Sequence, residues 1–399
     1  MNTKRFISCT DELVGILKSG GLVAVPTETV YGLAGNGLDE DAVSRIYEVK
    51  GRPEVKPLSL MVHDASAMER YCENVPEQAY TLANKFWPGP LTIVMDAKPC
   101  VPAIVRAGGE TVGLRCPDHP LTLELIEKSG LPMAAPSANP SGEPSPKNAD
   151  CVLGYFDGKI DAVLDGGECG IGRESTLILL STKPFKILRQ GALSDDEISD
   201  ALVEGMKLIG ITGGTGCGKT TALNELKKRG ALLIDCDEVY HRMLESDKPM
   251  LDEIGKYFPG AVTDGKLDRK ALGAIVFTDE EALLDLNVIT HKHINLEIRR
   301  LLREHAMNGG TLAAIDAIEL FSSGLAKRCT ATVGVIADKN IRIERIMKRD
   351  SLTREYAMMR VNAQRPNEYF INKCSHILEN NGSQEEFIEK CQKLFEEVL

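Results

Sequence analysis

The stretch Gly-Gly-Thr-Gly-Cys-Gly-Lys-Thr, residues 213–220, decides the fold of the second half of the chain. It fits the template of a glycine, four residues and Gly-Lys-Ser/Thr that wraps the phosphates of a nucleotide. Residues 207–212 before it are typical of a short buried strand, and residues 221–229 after it are typical of a helix. Because a strand leads into the loop and a helix follows it, successive N–H groups can point at an anion. The stretch therefore predicts a phosphate-binding loop in an α/β domain.

Acidic side chains follow the next predicted strands. Residues 231–237 predict a strand that carries Asp235 and Asp237 on one face of an extended segment, near the edge where α/β proteins bind ligands. The alternative is that these residues only cap a following helix. Residues 311–316 predict another strand, which ends at Asp316. A helix over residues 338–350 carries Arg342, Arg345 and Arg349, and it is either a lid over the nucleotide or a solvated face.

The first half of the chain also alternates strands and helices. Strands are predicted at residues 22–26, 56–62, 91–95, 112–115 and 176–180, and helices at residues 10–19, 39–49, 76–86 and 121–128. Ser-Asp-Asp-Glu at residues 194–197 predicts the capped start of a further helix. The whole chain is predicted to be α/β, with domains at residues 1–194 and 206–399 and a linker at residues 195–205.

Two polar stretches of the first half are candidate binding loops. Lys50, Arg52 and Lys56 put three cations in seven residues, with Gly51, Pro53 and Pro57 fixing the shape of the turn. The turn is either a solvated surface feature or a clamp for phosphate or carboxylate groups. Pro-Ser-Ala-Asn-Pro-Ser-Gly at residues 136–142 is either a tight turn or a cradle of hydroxyl and backbone groups for a phosphate.

Together these stretches resemble the YrdC/Sua5 family of threonylcarbamoyl-AMP synthases over about residues 8–194. The carriers are Pro-Thr-Glu-Thr-Val-Tyr-Gly-Leu, Lys-Gly-Arg-Pro with Lys-Pro-Leu, Pro-Gly-Pro-Leu-Thr, Gly-Leu-Arg-Cys-Pro, Pro-Ser-Ala-Asn-x-Ser-Gly and Glu-Ser-Thr. The resemblance implies a twisted mixed sheet that condenses L-threonine, bicarbonate and ATP and releases pyrophosphate. A partner threonylcarbamoyl transferase then modifies an adenosine of certain tRNAs. The chain resembles the short form of the family, without a further C-terminal Sua5 domain.

The resemblance also assigns residues to this first site. Lys50 and Arg52 would be catalytic, holding the triphosphate and the carbamate together with Lys56. ATP and threonine would be bound by Thr29, Arg52, Lys56, Thr111, Arg115, Ala135, Ser137, Asn139, Ser145, Ser175 and Arg189. None of these motifs contains a clear general base or nucleophile, so catalysis would depend on positioning and charge neutralisation with Mg²⁺. His63 is interpreted as a structural histidine near this pocket.

The second half resembles dephospho-CoA kinase over residues 206–399, a family with a parallel sheet, a helical substrate region and a lid. The carriers are the phosphate loop, Ile-Asp-Cys-Asp, Leu-Asp-Arg with Val-Phe, Leu-Asn-x-Ile-x-His, Arg-Ile-Met-Lys-Arg-Asp with Gln364, and Ile-Leu-Glu-Asn-Asn. The family transfers the γ-phosphoryl of ATP to the ribose 3′-hydroxyl of dephospho-CoA. Lys219 and Asp237 would be catalytic, with Asp237 accepting the hydroxyl proton, and Thr220 and Asp316 would hold Mg²⁺. The nucleotide would be bound by Gly213, Gly214, Thr215, Gly216, Cys217, Gly218, Lys219, Thr220, Thr221, Arg345 and Arg349.

Two departures from this family weaken the prediction of the acceptor pocket. The family usually has Pro-Leu-Leu-Phe-Glu after the strand that ends at Asp316, whereas this chain has Ala-Ile-Glu-Leu-Phe-Ser at residues 317–322. A glutamine is expected three residues before Arg345, and this position is Arg342. His291 and His293 point to different faces of a predicted helix and are not interpreted as a zinc site.

Composition limits where the protein works and what it binds. The net charge of −11 falls mostly on the first half, which argues against broad nucleic-acid binding there and leaves room for weak RNA contact. No apolar run is long enough for a membrane span or a signal peptide. The eleven cysteines are scattered, which indicates reduced thiols and a cytoplasmic protein. Cys217, inside the phosphate loop, is a candidate for oxidation.

The sequence therefore predicts a bifunctional enzyme with two ATP sites. One alternative is a working kinase that carries a nucleotide- or RNA-binding regulatory module. A second is a kinase that phosphorylates a different small alcohol.

Overall fold

In a computed structural model that describes residues 2–399, the chain divides into two units. The first unit extends to Gly205 and includes Met307–Gly309, and the second holds Met206–Ala306 and Gly310–Leu399. Each unit has its own sheet and its own core. Among residues 2–399, no helix is both long enough and apolar enough to cross a membrane.

A ten-stranded mixed sheet forms the centre of the first unit. Its strands are β1 Lys4–Phe6, β2 Val23–Val25, β3 Gly32–Asn36, β4 Ser59–Met61, β5 Leu91–Asp96, β6 Thr111–Arg115, β7 Met133–Ala134, β8 Ala162–Leu164, β9 Thr176–Leu179 and β10 Lys186–Arg189. Their order is β1-β8-β2-β3-β7-β4-β6-β5-β9-β10. Parallel pairs such as β4 with β6 alternate with antiparallel pairs such as β5 with β6. The predicted mixed α/β sheet is confirmed.

Seven helices accompany this sheet in the described part of the first unit. They are α1 Asp11–Lys18, α2 Glu40–Lys50, α3 Ala67–Tyr71, α4 Glu77–Phe86, α5 Pro120–Ser129, α6 Ala149–Phe156 and α7 Asp195–Glu204. The apolar stripe of α1 packs with α5 and the inner strands, where Leu13, Leu17 and Leu125 have no exposed surface. Asp39 caps the start of α2 with its side chain, and the left-handed Gly51 ends that helix with φ 57°. The capped helix predicted from residue 194 is α7, which begins with a reciprocal Ser194–Glu197 capping box.

Five parallel strands form the centre of the second unit. The strands are β11 Lys207–Thr212, β12 Leu232–Asp235, β15 Leu312–Asp316, β16 Ala331–Ile336 and β17 His376–Glu379, in the order β12-β15-β11-β16-β17. A separate hairpin consists of β13 Val262–Thr263 and β14 Lys266–Leu267. All six residues of β16 are buried, as expected for a central strand covered by helices on both faces.

The helices of the second unit come next. They are α8 Lys219–Lys228, α9 Cys236–Ser246, α10 Lys248–Tyr257, α11 Arg269–Val276, α12 Glu280–Met307, α13 Lys339–Asp350, α14 Arg354–Asn362, α15 Asn367–Lys373 and α16 Gln384–Val398. α8 and α16 cover the sheet through Leu226, Phe387 and Phe395.

One local prediction in this unit was wrong, and a neighbouring helix start shows the same physical cause. Asp237 does not continue an extended strand, because β12 stops at Asp235 and the Asp235 side chain caps α9 by accepting bonds from the Asp237 and Glu238 amides. Leu267 is a strand residue, and Asp268 caps α11 from outside the helix. In both cases an Asp side chain satisfies the free N–H groups of a helix start and so fixes the boundary.

Candidate active sites

A cavity of about 160 Å³ opens in the first unit where β4, β6 and β9 meet the loop after β7. This first cavity contains three arginine side chains and a single carboxylate, that of Glu174, among its lining residues. Cations therefore prevail locally even though the net charge of the chain is negative. Six of the predicted residues line it, namely Arg52, Arg115, Ala135, Ser137, Ser175 and Arg189.

Lys50 lies directly behind the cavity wall. It is the last residue of α2 and only 3% exposed. Its ammonium donates to the backbone carbonyl oxygens of Ser137 and Asn139. Burial, and then the nearby charge of Arg52, lower the pKa of Lys50 to about 7. The amine of Lys50 can therefore gain or lose a proton near neutral pH.

Arg52 follows the left-handed turn that ends α2. Its guanidinium donates to the carbonyls of Lys56, at 3.4 Å, and Pro57, at 3.2 Å. Both acceptors are neutral, and burial lowers the pKa of Arg52. A planar guanidinium that faces a cavity and contacts only carbonyls is suited to bind a phosphate or carboxylate bidentately.

Arg115 and Arg189 are held by acidic side chains that the sequence interpretation did not assign. Arg115 Nη2 donates to Glu28 Oε1 at 2.7 Å and to Thr29 Oγ1 at 2.7 Å. Arg189 Nη1 lies 2.6 Å from Glu174 Oε2. Both glutamates stand inside the motifs quoted for the first half, so their place in those motifs was the available signal.

Serine and threonine hydroxyls complete the floor of the cavity. Ser175 Oγ accepts from Arg189 Nη2 at 3.2 Å and lies 2.8 Å from Thr92 Oγ1. Ser145 Oγ donates to Glu174 Oε1 at 3.3 Å. Asn139 is buried and donates through Nδ2 to the Pro140 carbonyl at 3.0 Å, whereas its Oδ1 is buried without a hydrogen-bond partner.

The structure does not bring every predicted residue to this cavity. Thr111 pairs with Asp96 at the start of β6, four residues from Arg115 and therefore roughly 13 Å away at about 3.3 Å per residue. Lys56 is exposed on the loop after Arg52. His63 lies in a separate cleft with Arg70 and Glu127, where its Nδ1 is 3.2 Å from Asp64 Oδ2.

In the second unit, the phosphate loop of residues 213–220 joins β11 to α8. Gly218 adopts φ 104° at the helix start, and a Cβ there would lie 2.2 Å from Asn380 Nδ2. Asn380 Nδ2 donates to the Cys217 carbonyl at 2.8 Å and holds the loop from the side. Cys217 is 1% exposed, and burial raises the pKa of its thiol. The closed loop therefore protects Cys217 from oxidation, because a buried neutral thiol is a poor nucleophile.

Lys219 and Asp316 face each other at the carboxyl edge of the sheet. Lys219 Nζ lies 3.6 Å from Asp316 Oδ1 and donates to the Gly213 carbonyl at 3.3 Å. Burial, which Lys219 opposes and the charges of Asp235 and Asp237 reinforce, raises the pKa of Asp316 to about 6. Asp235 and Asp237 thus act on this carboxylate, although they do not share one face of an extended strand.

The donor set fits a magnesium ion that arrives with a nucleotide. Asp316 offers a half-buried carboxylate 3.6 Å from Lys219 Nζ, and the Thr220 hydroxyl follows directly after Lys219 in the chain. Among residues 2–399 there is no group of three or more His, Cys, Asp or Glu side chains placed to hold a metal. Mg²⁺ commonly uses one or two protein carboxylates together with substrate phosphates and water, so these two residues are sufficient partners.

A second cleft of about 190 Å³ lies beside Asp316. We call it the second-unit cleft; it is lined by Asp237, Tyr240, His291, Ala317 and Glu319, with others from α9, α12 and the turn after β15. His291 lines this cleft, whereas His293 points elsewhere and its Nε2 lies 2.7 Å from Glu253 Oε2. Asp237 therefore lies in the wall of this cleft.

The arginines of α13 differ in their surroundings. Arg345 donates to the carbonyl of Asn380 at 3.1 Å and to its Oδ1 at 3.1 Å. The side chain of Arg349 is 60% exposed, and its Nε donates to Asp350 Oδ1 at 2.7 Å. Arg342, for which a solvated face was an open alternative, is 3% exposed and contacts the phosphate loop. α13 is thus packed onto the nucleotide loop through its inner face.

Fold and sites define the class: the chain joins two α/β units, and the second of them carries a phosphate-binding loop between β11 and α8. Comparison with known families agrees. The Sua5/YciO/YrdC family model, described as "Telomere recombination", matches residues 15–191, and the dephospho-CoA kinase model matches residues 207–386. The chain belongs to the Sua5/YrdC family over its first unit and to the dephospho-CoA kinase family over its second, and both are enzyme families.

Individual relatives match one half each. A threonylcarbamoyl-AMP synthase of Pyrococcus abyssi is 48% identical over 190 residues, which is 48% of this chain and 56% of the relative. A putative threonylcarbamoyl-AMP synthase of Mycobacterium tuberculosis is 34% identical over 198 residues, or 49% of this chain and 91% of the relative. A dephospho-CoA kinase of Anaeromyxobacter dehalogenans is 36% identical over 195 residues, or 48% of this chain and 92% of the relative. The chain spans 56%, 61% and 50% of the length of three of the synthases it matches.

Proposed function

We propose that the chain is a bifunctional enzyme with two separate active sites. The first unit would form threonylcarbamoyl-AMP from L-threonine, bicarbonate and ATP and release pyrophosphate. The second would transfer the γ-phosphoryl of ATP to the 3′-hydroxyl of dephospho-CoA and give coenzyme A. One observation carries the proposal: each unit has its own candidate site, a cavity lined by three arginines in the first unit and a cleft lined by Asp237 in the second.

The first reaction needs charge neutralisation more than proton transfer. A carboxylated threonine would attack the α-phosphorus of ATP while pyrophosphate leaves, and every reacting group is anionic. Arg52, Arg115 and Arg189 supply fixed positive charge to this cavity, and Lys50 supplies a further charge when protonated. Preorganised cations of this kind stabilise the transition state without reorganising during the reaction.

Small hydroxyl groups would orient the threonine. Ser175 and Thr92 form a hydroxyl pair in the cavity wall, and Thr29 is fixed beside Arg115. Holding the two reactants in register is the second contribution that the first unit can make. Thr111 lies at the far end of β6, so we do not include it among the substrate-binding residues.

In the second unit, Asp237 would accept the proton of the acceptor hydroxyl, and Lys219 would bind the β- and γ-phosphates. Arg345, which approaches the phosphate loop from α13, would neutralise charge on the transferred group, and Arg349 would reach the nucleotide only if it left Asp350. Thr220 and Asp316 would hold Mg²⁺, which when bound neutralises the charge of the phosphates. These roles agree with a reaction that depends on positioning and electrostatics.

The proposal also covers the partners of the protein and its location in the cell. The product of the first unit would pass to a tRNA-modifying threonylcarbamoyl transferase, and direct RNA contact by this chain would be weak because its net charge is −11. Eleven free thiols, several of them exposed or half-buried, support a cytoplasmic enzyme.

The test is a pair of assays on the purified full chain. Pyrophosphate is measured with ATP, threonine and bicarbonate, and ADP is measured with ATP and dephospho-CoA. Arg52→Ala should abolish only pyrophosphate release, and Lys219→Ala should abolish only ADP formation. If ADP appears and pyrophosphate does not, even with the transferase added, the first unit is a binding module and the bifunctional proposal is wrong.

One observation favours a second candidate for the acceptor. Glu319 stands in the wall of the second-unit cleft with Asp237, within the stretch that departs from the family pattern. A second carboxylate there would disfavour an anionic acceptor and favour a neutral or cationic alcohol. A panel of alcohols that includes dephospho-CoA decides between them through kcat/KM.

A further inference from the structure

Arg342 is a buried cation with no carboxylate beside it. Its Nε donates to the Thr215 carbonyl at 3.0 Å, and its Nη2 donates to Gln364 Oε1 at 2.6 Å. Both acceptors are neutral, and within residues 2–399 no Asp or Glu forms an ion pair with this guanidinium. Only 3% of the residue is exposed to solvent.

Such a charge is costly unless something pairs with it. Arginine stays protonated in proteins, so it cannot escape the cost by losing its proton. Buried charges are normally paired or bind an ion. The absence of a protein counter-charge therefore indicates that the partner of Arg342 is an anion from outside the chain.

The position of Arg342 identifies that anion. A Cβ on Gly214 would lie 2.1 Å from Arg342 Nη2, so the guanidinium packs directly on the backbone of the phosphate loop. Lys219 Nζ reaches the neighbouring Gly213 carbonyl at 3.3 Å. The two cations thus approach adjacent residues of the same loop, which is where polyphosphate would lie.

Gln364 holds the guanidinium at this place. Its Oε1 accepts from the Thr215 amide at 2.9 Å as well as from Arg342, and its Nε2 donates to Thr215 Oγ1 at 2.8 Å. We call Arg342, Gln364 and Thr215 the loop clasp. Its members are all neutral except Arg342, so the clasp orients the charge and leaves it uncompensated.

We propose that Arg342 is a nucleotide-binding residue of the kinase site, whose guanidinium is the counter-charge for the terminal phosphates of ATP. The inference rests on the proposed kinase function of the second unit. It concerns this chain in particular, because the family usually has an uncharged glutamine at this position.

Steady-state kinetics of the full chain test the proposal. ADP formation is measured at saturating dephospho-CoA and varied ATP for the wild type, Arg342→Gln and Arg342→Lys. Loss of one charge-assisted contact should lower kcat/KM for ATP by about 10- to 100-fold in Arg342→Gln, mainly through KM. Arg342→Lys should recover most of it because the charge is kept. Arg300→Gln, which removes an exposed arginine of α12 paired with Glu297, is the matched control and should be unchanged.

Hydrogen exchange of residues 207–224 without nucleotide separates this role from structural support. Because Arg342→Gln removes an uncompensated charge and can keep a neutral hydrogen bond, exchange should be unchanged or slower. If exchange becomes faster in both variants, and lysine does not rescue KM, Arg342 only supports the loop and the proposal is wrong.

Hydrogen exchange of residues 207–224 also distinguishes failure of the Arg342 inference from failure of the proposed kinase function. If the wild type forms no ADP with dephospho-CoA, the acceptor assignment is wrong, and binding of the ATP analogue AMP-PNP replaces the kinetic test. The expected result is weaker AMP-PNP protection of residues 207–224 in Arg342→Gln, approaching that of Lys219→Ala. Full protection in Arg342→Gln overturns the inference by itself.

Discussion

Arg115 Nη2 lies 2.7 Å from Glu28 Oε1, and the two side chains are only 8% and 13% exposed. The second oxygen of Glu28 accepts from the Asp118 amide at 2.9 Å. One carboxylate thus orients the arginine at the end of β6 and fixes the turn that follows it. The pair therefore connects the Pro-Thr-Glu-Thr segment, which contains Glu28, to an arginine that lines the first cavity.

Replacing Glu28 with glutamine should therefore destabilise the first unit. Arg115 would stay buried without its counter-charge, and breaking a buried pair from one side costs about 3–5 kcal/mol. Chemical denaturation should show this loss in the transition of the first unit, and threonine-dependent pyrophosphate release should fall with it. Lys128→Gln, which breaks an exposed pair with Glu124 on α5, should change the unfolding free energy by less than about 0.5 kcal/mol. Equal effects of the two variants would contradict the role given to Glu28.

Anion binding to the first cavity should be accompanied by proton uptake at Lys50. The pKa of Lys50 is lowered from 10.5 to about 7, so the amine is mostly neutral at pH 8 in the free protein. A bound phosphate or carboxylate would favour the charged amine and raise its pKa again. Calorimetric titration of ATP at pH 8 in buffers of different ionisation enthalpy should show uptake approaching one proton in Lys219→Ala, where only the first site binds.

The lowered pKa of Lys50 also determines how its contribution to folding stability changes with pH. Between about pH 7 and 10.5 the unfolded chain holds this proton and the folded chain does not, so the contribution of Lys50 to stability increases as pH rises through that window. Lys50→Met should flatten both the proton uptake and this part of the stability profile. Unchanged proton uptake in Lys50→Met would assign the proton to another group.

Magnesium should bind the second unit in a pH-dependent way through Asp316. Its pKa is raised from 3.8 to about 6, so between these values the folded state holds a proton that the unfolded state has lost. The contribution of this group to stability falls as pH rises through the window, and a cation bound above about pH 6 would offset the loss. We expect Mg²⁺ with AMP-PNP to raise the melting temperature of this unit more at pH 7.5 than at pH 5.5.

Asp316→Asn should remove that difference between the two pH values and abolish ADP formation. Without Mg²⁺ and AMP-PNP, this variant should be no less stable than the wild type. Asp264→Asn, an exposed turn residue at φ 51°, is the control because asparagine tolerates that backbone conformation. A pH-dependent Mg²⁺ effect that survives in Asp316→Asn would place the ion elsewhere.

Gly218→Ala should abolish the kinase reaction and spare the synthase reaction. The new Cβ would meet Asn380 Nδ2 at 2.2 Å and would strain a backbone at φ 104°. Because the loop must then shift, and a shift of about 1 Å can cost roughly 100-fold in rate, ADP formation should fall by about that factor. Gly260→Ala also strains a left-handed glycine, at φ 86°, but has no neighbouring atom to displace, and it should keep kinase activity. Comparable losses in the two variants would mean that strain alone explains the effect.

The phosphate loop could be predicted from the sequence because its function depends on local features. Strand, glycines, lysine and helix are contiguous, so the backbone conformation follows from residues 207–229 alone. The arginines of α13 could not be ranked in the same way. Which of Arg342, Arg345 and Arg349 faces the loop depends on how α13 packs on the sheet, and that is a tertiary property.

In the first cavity, too, some features could be predicted from the sequence and others depend on tertiary structure. The motifs predicted that Arg52, Arg115, Ser137, Ser175 and Arg189 would share one site, and the structure gathers them around one cavity. The resemblance grouped Thr111 with them, whereas the structure has it at the opposite end of β6 from Arg115. The buried state of Lys50, and therefore its lowered pKa, also depends on residues 137–139, which are remote in sequence.

The burial of Cys217 has a consequence for how the kinase unit would meet oxidants and electrophiles. A thiol that is 1% exposed and held neutral reacts only when the loop around it opens. Peroxide or an alkylating drug would therefore inactivate the unit at a rate set by local opening, and a bound nucleotide that closes the loop would slow it further. An exposure to oxidant that is shorter than the interval between such openings would leave most of the thiol unmodified.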